Sequence, residues 1–226
     1  MSRLAIVLLS GGLDSAVTLA FAMSKGYKPV AVSFDYDQRH RIELERAKSL
    51  VRYYGVENHV VFKLDFHAIG NSALTDNSID VPEDRTLDEK DIPVTYVPGR
   101  NTIFLSYAMA LGDAMNIHTV FIGANAVDYS GYPDCRSEYM NAMEKVFKLG
   151  TKSGVSGENW NLYAPLIDAK KALIVQTGFD LDVPFGYTSS CYNPDEDGTA
   201  CGVCDSCKIR LAAFKEIGKV DPIKYR

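Results

Sequence analysis

Cys191, Cys201, Cys204 and Cys207 stand in a C-x9-C-x2-C-x2-C pattern, and Cys135 is the only other cysteine in the 226-residue chain. Four thiolates so spaced suit a tetrahedral metal with bonds of about 2.3 Å. Zinc and an iron–sulfur cluster both accept such ligands. Disulfides fit poorly with a reducing compartment, and four unliganded surface thiols would be reactive. A zinc ion held by all four has no position left for a reactive water, so the expected role of zinc is structural.

A second chemical signal lies in "LLSGGLDSAV", where an apolar run breaks into Ser10, Gly11, Gly12, Leu13, Asp14 and Ser15 before turning helical. Adjacent glycines let backbone N–H groups converge at a helix N-terminus, where the macrodipole favours an anion, so the turn reads as a phosphate cradle. Its spacing matches neither the Walker loop nor G-x-G-x-x-G. The competing reading is that the glycines only let the helix approach its strand.

Other residues carry weaker signals. Arg39, His40 and Arg41 follow an expected strand at its carboxyl edge, where open α/β sheets bind ligands, yet they also suit the solvated first turn of a helix. Arg100 and Asn101 follow Gly99 at a helix start, either as a donor fork for phosphate or as a cap with a surface charge. Asp128, Tyr129, Ser130, Tyr132, Asp134 and Arg136 mix aromatic faces with hydrogen-bonding groups, a lining for a flat heteroaromatic ring or simply a polar turn. Cys135 has Arg136 beside it but no partner thiol outside the metal set, which points to a structural or substrate-adjacent role. Lys170 and Lys171 oppose a helix dipole, and either phosphate or solvent would accommodate them.

The elements that must position these groups alternate. Strands are expected at Leu4–Leu9, Pro29–Phe34, Val60–Phe66 and Thr119–Gly123. Helices are expected at Ala16–Lys25, Arg41–Tyr54 with Gly55 as C-cap, Asn101–Met115, Ser137–Leu149 and Ala169–Thr177 with Asp168 as N-cap. The alternation predicts a doubly wound α/β fold with a mostly parallel sheet over residues 1–186, and a metal-binding C-terminal region over 187–226. Thr75–Pro93 holds seven acidic residues against Arg85 and Lys90 and reads as a mobile surface loop.

A formal net charge of −5 and a 46% hydrophobic composition point away from a nucleic-acid footprint and towards a small-molecule partner. No apolar run approaches the roughly 20 residues that span a bilayer, and the Gly-Gly break is unlike a secretory signal. A cytoplasmic, membrane-free protein is expected.

"SGGLDS" resembles the PP-loop of the ATP pyrophosphatase superfamily, and with "SFDYDQRH", "VPGRNTIFLS" and "GANAVDYSGYPDCR" in order the chain resembles the 7-cyano-7-deazaguanine synthase family over nearly its whole length. The resemblance implies an adenine nucleotide alpha hydrolase-like fold that holds the β and γ phosphates of ATP and leaves the α-phosphate open to attack. It implies a ligase that converts 7-carboxy-7-deazaguanine, ATP with Mg²⁺, and ammonia into the nitrile, as a homodimer with structural Zn²⁺. Carried onto this sequence, ATP would meet Leu9, Ser10, Gly11, Gly12, Leu13, Asp14, Ser15, Ser33 and Phe34. The deazaguanine would meet Gln38, Arg39, His40, Asp128, Tyr129, Ser130, Tyr132 and Asp134, with Asp14, Arg100 and Asn101 at the reacting centre. Asp37 stands where the family's "DYGQ" pattern has glycine. A tRNA-thiolating PP-loop enzyme and an ATP-binding sensor are the alternative classes.

Overall fold

A computed structural model of the chain describes residues 3–83, 92–127 and 132–226. Five strands, β1 (Arg3–Leu8), β2 (Tyr27–Asp35), β3 (Asn58–Lys63), β4 (Thr119–Phe121) and β5 (Asn161–Tyr163), form one parallel sheet in the order β3-β2-β1-β4-β5. Around it lie α1 (Leu13–Ser24), α2 (Ile42–Tyr54), α3 (Arg100–Met115), α4 (Ser137–Gly150), the short α5 (Lys152–Val155), α6 (Lys171–Asp180) and α7 (Asp205–Glu216). The doubly wound parallel expectation holds.

The central strand explains the two cores. Side chains alternate across a strand, so in β1 Ile6 and Leu8 join a cluster with Leu105, Phe147 and Trp160 on the α3/α4 face. Ala5 and Val7 join the opposite cluster with Val17, Leu50, Ile174 and Phe214, which draws in α1, α2, α6 and α7. Continuous apolarity in β1 is therefore burial on both faces. The winding reverses between β1 and β4, and ligands of open α/β sheets bind outside the strand carboxyl ends at such a point. The SGGLDS turn leaves β1 there, and Gly123–Asn125 leaves β4.

Several boundaries differ from the sequence reading. The third strand stops at Lys63, after which Leu64 N–H donates to the Asp35 carbonyl (2.8 Å) and Phe66 turns into the core. Asp168 does not cap α6. Asn125 Nδ2 donates to the Leu166 and Ala169 carbonyls (2.8 and 2.5 Å), holding residues 166–169 as a turn, and the helix begins at Lys171 with Lys170 in the cap position. Gly55 does close α2, in the left-handed conformation.

The acidic segment is anchored where it is described. Arg39 Nη2 donates to the Ile79 carbonyl (3.0 Å), Val81 is buried beside the cysteines, and Glu83 bridges to Cys204. Residues 84–91 of that expected loop lie outside the described residues. Asp37 adopts φ +57, the left-handed region that explains a glycine in the pattern it departs from. Its carboxylate meets His67 Nε2 at 3.0 Å and Arg41 Nη1 at 3.5 Å. A left-handed L-residue costs about 1–2 kcal/mol, and glycine loses about 0.5–1 kcal/mol more on folding than alanine. Asp37→Gly should therefore leave the melting temperature within a few degrees of wild type, and a fall of more than about 8 °C would mean that the His67 and Arg41 contacts dominate.

Candidate active site

The turn between β1 and α1 is held by its own hydroxyls. Ser15 Oγ accepts from the N–H groups of Ser10 (3.2 Å) and Gly11 (3.3 Å) and donates to the Gly12 carbonyl (3.0 Å), while Gly12 N–H donates to Ser10 Oγ (3.1 Å). Gly11 has φ +94, and a Cβ there would overlap the Glu43 carbonyl oxygen and lie 2.7 Å from Ala47 N. This glycine serves the close approach of α2 and does not line the cleft. Gly123 plays the matching part from β4, since a Cβ there would stand 3.0 Å from the Asp14 and Ser15 backbone. The helix-approach reading holds at Gly11, while Gly12 borders the cleft.

Around the turn, Leu9, Ser10, Gly12, Leu13, Asp14 and Ser15 share one cleft with Phe34, Gln38, His40, Arg100, Asn101 and Tyr132. Of the described positions carried over by the family resemblance, four are not part of its wall. Gly11 faces α2, Ser33 Oγ donates to the Leu9 carbonyl (2.5 Å) beside His59, Arg39 holds the segment at Ile79, and the Asp134 carboxylate accepts from Asn101 N–H (3.2 Å). Asp128, Tyr129 and Ser130 lie outside the described residues.

The cleft also contains Lys171, which the sequence left open between phosphate and solvent, and groups that the sequence reading did not place. Lys171 Nζ reaches both Asp14 oxygens at 2.8 Å, across 157 residues of chain. Tyr36, Glu43, Tyr192 and Arg210 complete the wall. Phe34 stacks on Phe104 with ring centroids 4.0 Å apart, giving the cleft an aromatic side.

Electrostatics sort these groups. Arg100 is held even more firmly cationic than usual because the groups around it, Tyr36, Tyr132, Asp134 and Cys135, oppose the desolvation that burial imposes. Burial pushes Glu43 up to about 8, with Arg100 pulling the other way. His40 falls to about 3 through burial and then Arg100, so its ring is neutral. The Cys135 thiol rises to about 11 through burial and then Asp134, and Asn101 Nδ2 lies 3.4 Å from its sulfur. A thiol so raised is a wall group and a poor nucleophile. Asn101 holds the Pro133–Cys135 turn, donating also to the Asp134 carbonyl at 3.1 Å.

The four C-terminal cysteines converge. All are buried and free, and their sulfurs lie within 4.8 Å of one another. The Cys201 and Cys207 sulfurs are 3.9 Å apart, close to the roughly 3.8 Å edge of a tetrahedron with 2.3 Å bonds. Backbone N–H groups of Asn193 and Cys201 donate to Cys191 Sγ (3.3 and 3.2 Å), and Cys204 N–H donates to Cys201 Sγ (3.4 Å). Such donors favour thiolates. The donor set fits a four-coordinate thiophilic metal.

This knot abuts the Ser10–Ser15 turn. Ser189 N–H donates to the Gly11 carbonyl at 3.0 Å. Arg210, from the helix that begins after Cys204, ties Thr188 Oγ1 (2.8 Å) and Ser190 Oγ (3.2 Å) to a buried pair with Asp221 (2.6 Å).

A parallel sheet whose switch point carries an SGGLDS turn, with a cationic and aromatic cleft beyond it, defines an α/β protein of the PP-loop ATP pyrophosphatase kind. Within that class the chain belongs to the family described as Queuosine biosynthesis protein QueC, whose family model matches residues 4–218. It is 53% identical over 221 residues to the 7-cyano-7-deazaguanine synthase of Hydrogenovibrio crunogenus, covering 98% of this chain and 95% of that one. The 7-cyano-7-deazaguanine synthase of Trichormus variabilis is 52% identical over 223 residues, with 98% and 97% covered. Among solved structures, a predicted subunit of tRNA methyltransferase from Methanocaldococcus jannaschii superposes with TM-score 0.51 at 16% identity, covering 99% of this chain and 92% of that chain. NMN synthetase from Francisella tularensis gives TM-score 0.50 at 22% identity, with 97% and 78% covered. At these identities the two likenesses concern the fold alone. No helix among the described residues is long and apolar enough to cross a membrane.

Proposed function

We propose that the chain is an ATP-dependent carbon–nitrogen ligase that converts 7-carboxy-7-deazaguanine and ammonia into 7-cyano-7-deazaguanine, acting as a cytoplasmic homodimer. The observation that carries this reading is full-length similarity at about half identity to proteins named for that activity, in a chain whose SGGLDS turn opens into a cleft with a fixed cation.

A carboxylate is a poor electrophile because its leaving group would be oxide. Attack of its oxygen on the α-phosphorus of ATP makes that oxygen part of AMP, which ammonia can displace to give the amide. A second activation, of the amide oxygen, followed by loss of two protons gives the nitrile. In this chain the β and γ phosphates would sit at the N-terminus of α1, on the first-turn N–H groups of Leu13, Asp14 and Ser15, since those of Ser10, Gly11 and Gly12 are given to the turn's own hydroxyls. Lys171, held over the turn by Asp14, supplies positive charge there. Arg100 would face the developing charge of the reacting carboxylate and α-phosphate, and Phe34, Tyr36 and Tyr132 offer flat and hydroxylated walls to the rings. Mg²⁺ arrives with ATP and screens its phosphates. Cys191, Cys201, Cys204 and Cys207 would hold zinc, which supplies a structural cross-link.

The test offers purified protein ATP, Mg²⁺ and the 7-carboxy substrate with either ammonium or glutamine. AMP, pyrophosphate and nitrile are expected with ammonium. Four of the five cysteines lie in the metal set and Cys135 is raised to about 11, so no thiol fits a glutaminase. Turnover on glutamine freed of ammonia would contradict the ammonia assignment, and product that stops at the amide would contradict nitrile formation.

A further inference from the structure

Among the described residues the cleft wall holds two carboxylic side chains, Asp14 and Glu43. Asp14 gives both oxygens to Lys171. Glu43 is free of such a clamp: it meets the neutral His40 ring at Nε2, 3.5 Å away, and its side chain is 15% exposed. One of its oxygens stands 3.7 Å from where a Cβ on Gly12 would project, so the carboxyl borders the phosphate turn. It comes from the first turn of α2, whose approach to that turn is set by Gly11. The titratable groups facing it are Arg100 from α3, His40 from the preceding loop and Tyr36 from the end of β2.

We propose that Glu43 is the proton acceptor of the step that turns the amide into the nitrile, an inference that rests on the function proposed above. Ammonia addition leaves its surplus proton on an ammonium-like nitrogen that gives it up readily, whereas nitrile formation must strip both N–H protons from one nitrogen inside the cleft. The amide oxygen attacks the α-phosphorus, the new O–P bond forms, and the bond to the β-phosphate oxygen breaks with pyrophosphate leaving. The nitrogen lone pair becomes a C=N bond, giving a protonated imidate. Glu43 as carboxylate takes the first N–H proton. Loss of the second, onto the departing AMP phosphate, completes C≡N as the C–O bond breaks and its electron pair leaves with AMP. The amide has then lost the elements of water, ATP has become AMP and pyrophosphate, and Glu43 returns its proton to solvent. Burial favours the protonated carboxyl against the pull of Arg100, and the value near 8 puts this base close to a working pH.

The experiment bypasses ammonia by supplying the amide, 7-amido-7-deazaguanine, with Mg²⁺ and ATP to the metal-loaded protein. Wild type, Glu43→Gln and Glu43→Asp are compared across about pH 6 to 9.5. Glu43→Gln should bind ATP with wild-type affinity and release pyrophosphate in a single turnover, while nitrile formation falls at least roughly 100-fold. The wild-type rate should climb as pH rises through about 8, where the carboxylate form takes over, and the Gln variant should lose that climb. Glu43→Asp should restore part of the rate. A Gln variant that forms nitrile at the wild-type rate, or that no longer binds ATP, overturns the assignment. Wild-type protein that makes no nitrile from the amide overturns instead the function on which it rests.

Discussion

Cys204→Ala protein is expected to purify without zinc, to melt far below wild type, and to lose ATP binding although Cys204 touches no part of the phosphate turn. Wild type should carry one zinc per chain. A structural zinc site can supply on the order of 10 kcal/mol of apparent binding energy, comparable with the entire 5–15 kcal/mol stability of an ordinary domain. The cluster it would hold includes Ala73, Val81 and Ala200 around the four sulfurs, so removing the metal leaves a small apolar knot with buried thiols. The loss should reach ATP through Ser189, whose N–H is bonded to the Gly11 carbonyl. Metal analysis, calorimetry and nucleotide titration of the same preparation check the three parts. Iron with visible absorbance in the wild type would overturn the zinc assignment, and a Cys204→Ala variant with unchanged melting would remove the metal from the stability of the fold.

Gly11→Ala should be nearly as severe, while Gly12→Ala should fold. At Gly11 the positive φ alone costs an L-residue about 1–2 kcal/mol. The added methyl also overlaps the α2 backbone at Glu43 and Ala47, which cannot swing aside as a side chain can. At Gly12 the backbone is extended, φ −78, and a Cβ meets Ser10 Oγ at 3.2 Å and the Ser189 carbonyl at 3.4 Å, contacts that small shifts relieve. Thermal melts should separate the two by more than about 10 °C for a domain of this size. Equal melting would mean that α2 yields to the methyl and that the close approach is not required.

The contrast between the two glycines marks how far sequence could see. The strand, the turn and the helix after it were legible because burial on both faces and helical periodicity are local patterns, and the cysteine spacing is a ligand set whatever the fold. Which glycine faces the cleft and which faces α2 is decided by a helix beginning some thirty residues later. Glu43 and Tyr192 reach the cleft only through the fold, and the pairing of Lys171 with Asp14, 157 residues apart, is set by it too, so residue type left Lys171 open between phosphate and solvent. The helix after Cys204 escaped notice because Asp205, Ser206 and Arg210 are buried polar residues that break an apolar stripe. β5 is three residues, too short for an alternation to register. Asp168 looked like a cap by residue type, but the asparagine that shapes its turn lies over forty residues earlier.

The bond between Ser189 N–H and the Gly11 carbonyl also sets an order of events during synthesis. The Ser10–Ser15 turn leaves the ribosome early, but its brace at Ser189 is encoded nearly 180 residues later and the Arg210 tie that holds it some twenty residues after that. At translation rates of about 5–20 residues per second, that interval is roughly 10–35 s. Throughout it β1 and α1 carry their apolar faces without the α6 and α7 cover that completes them. The nascent chain must therefore stay open or be sheltered by a chaperone until the cysteine segment emerges, and nucleotide-binding competence should appear late and abruptly as the chain lengthens.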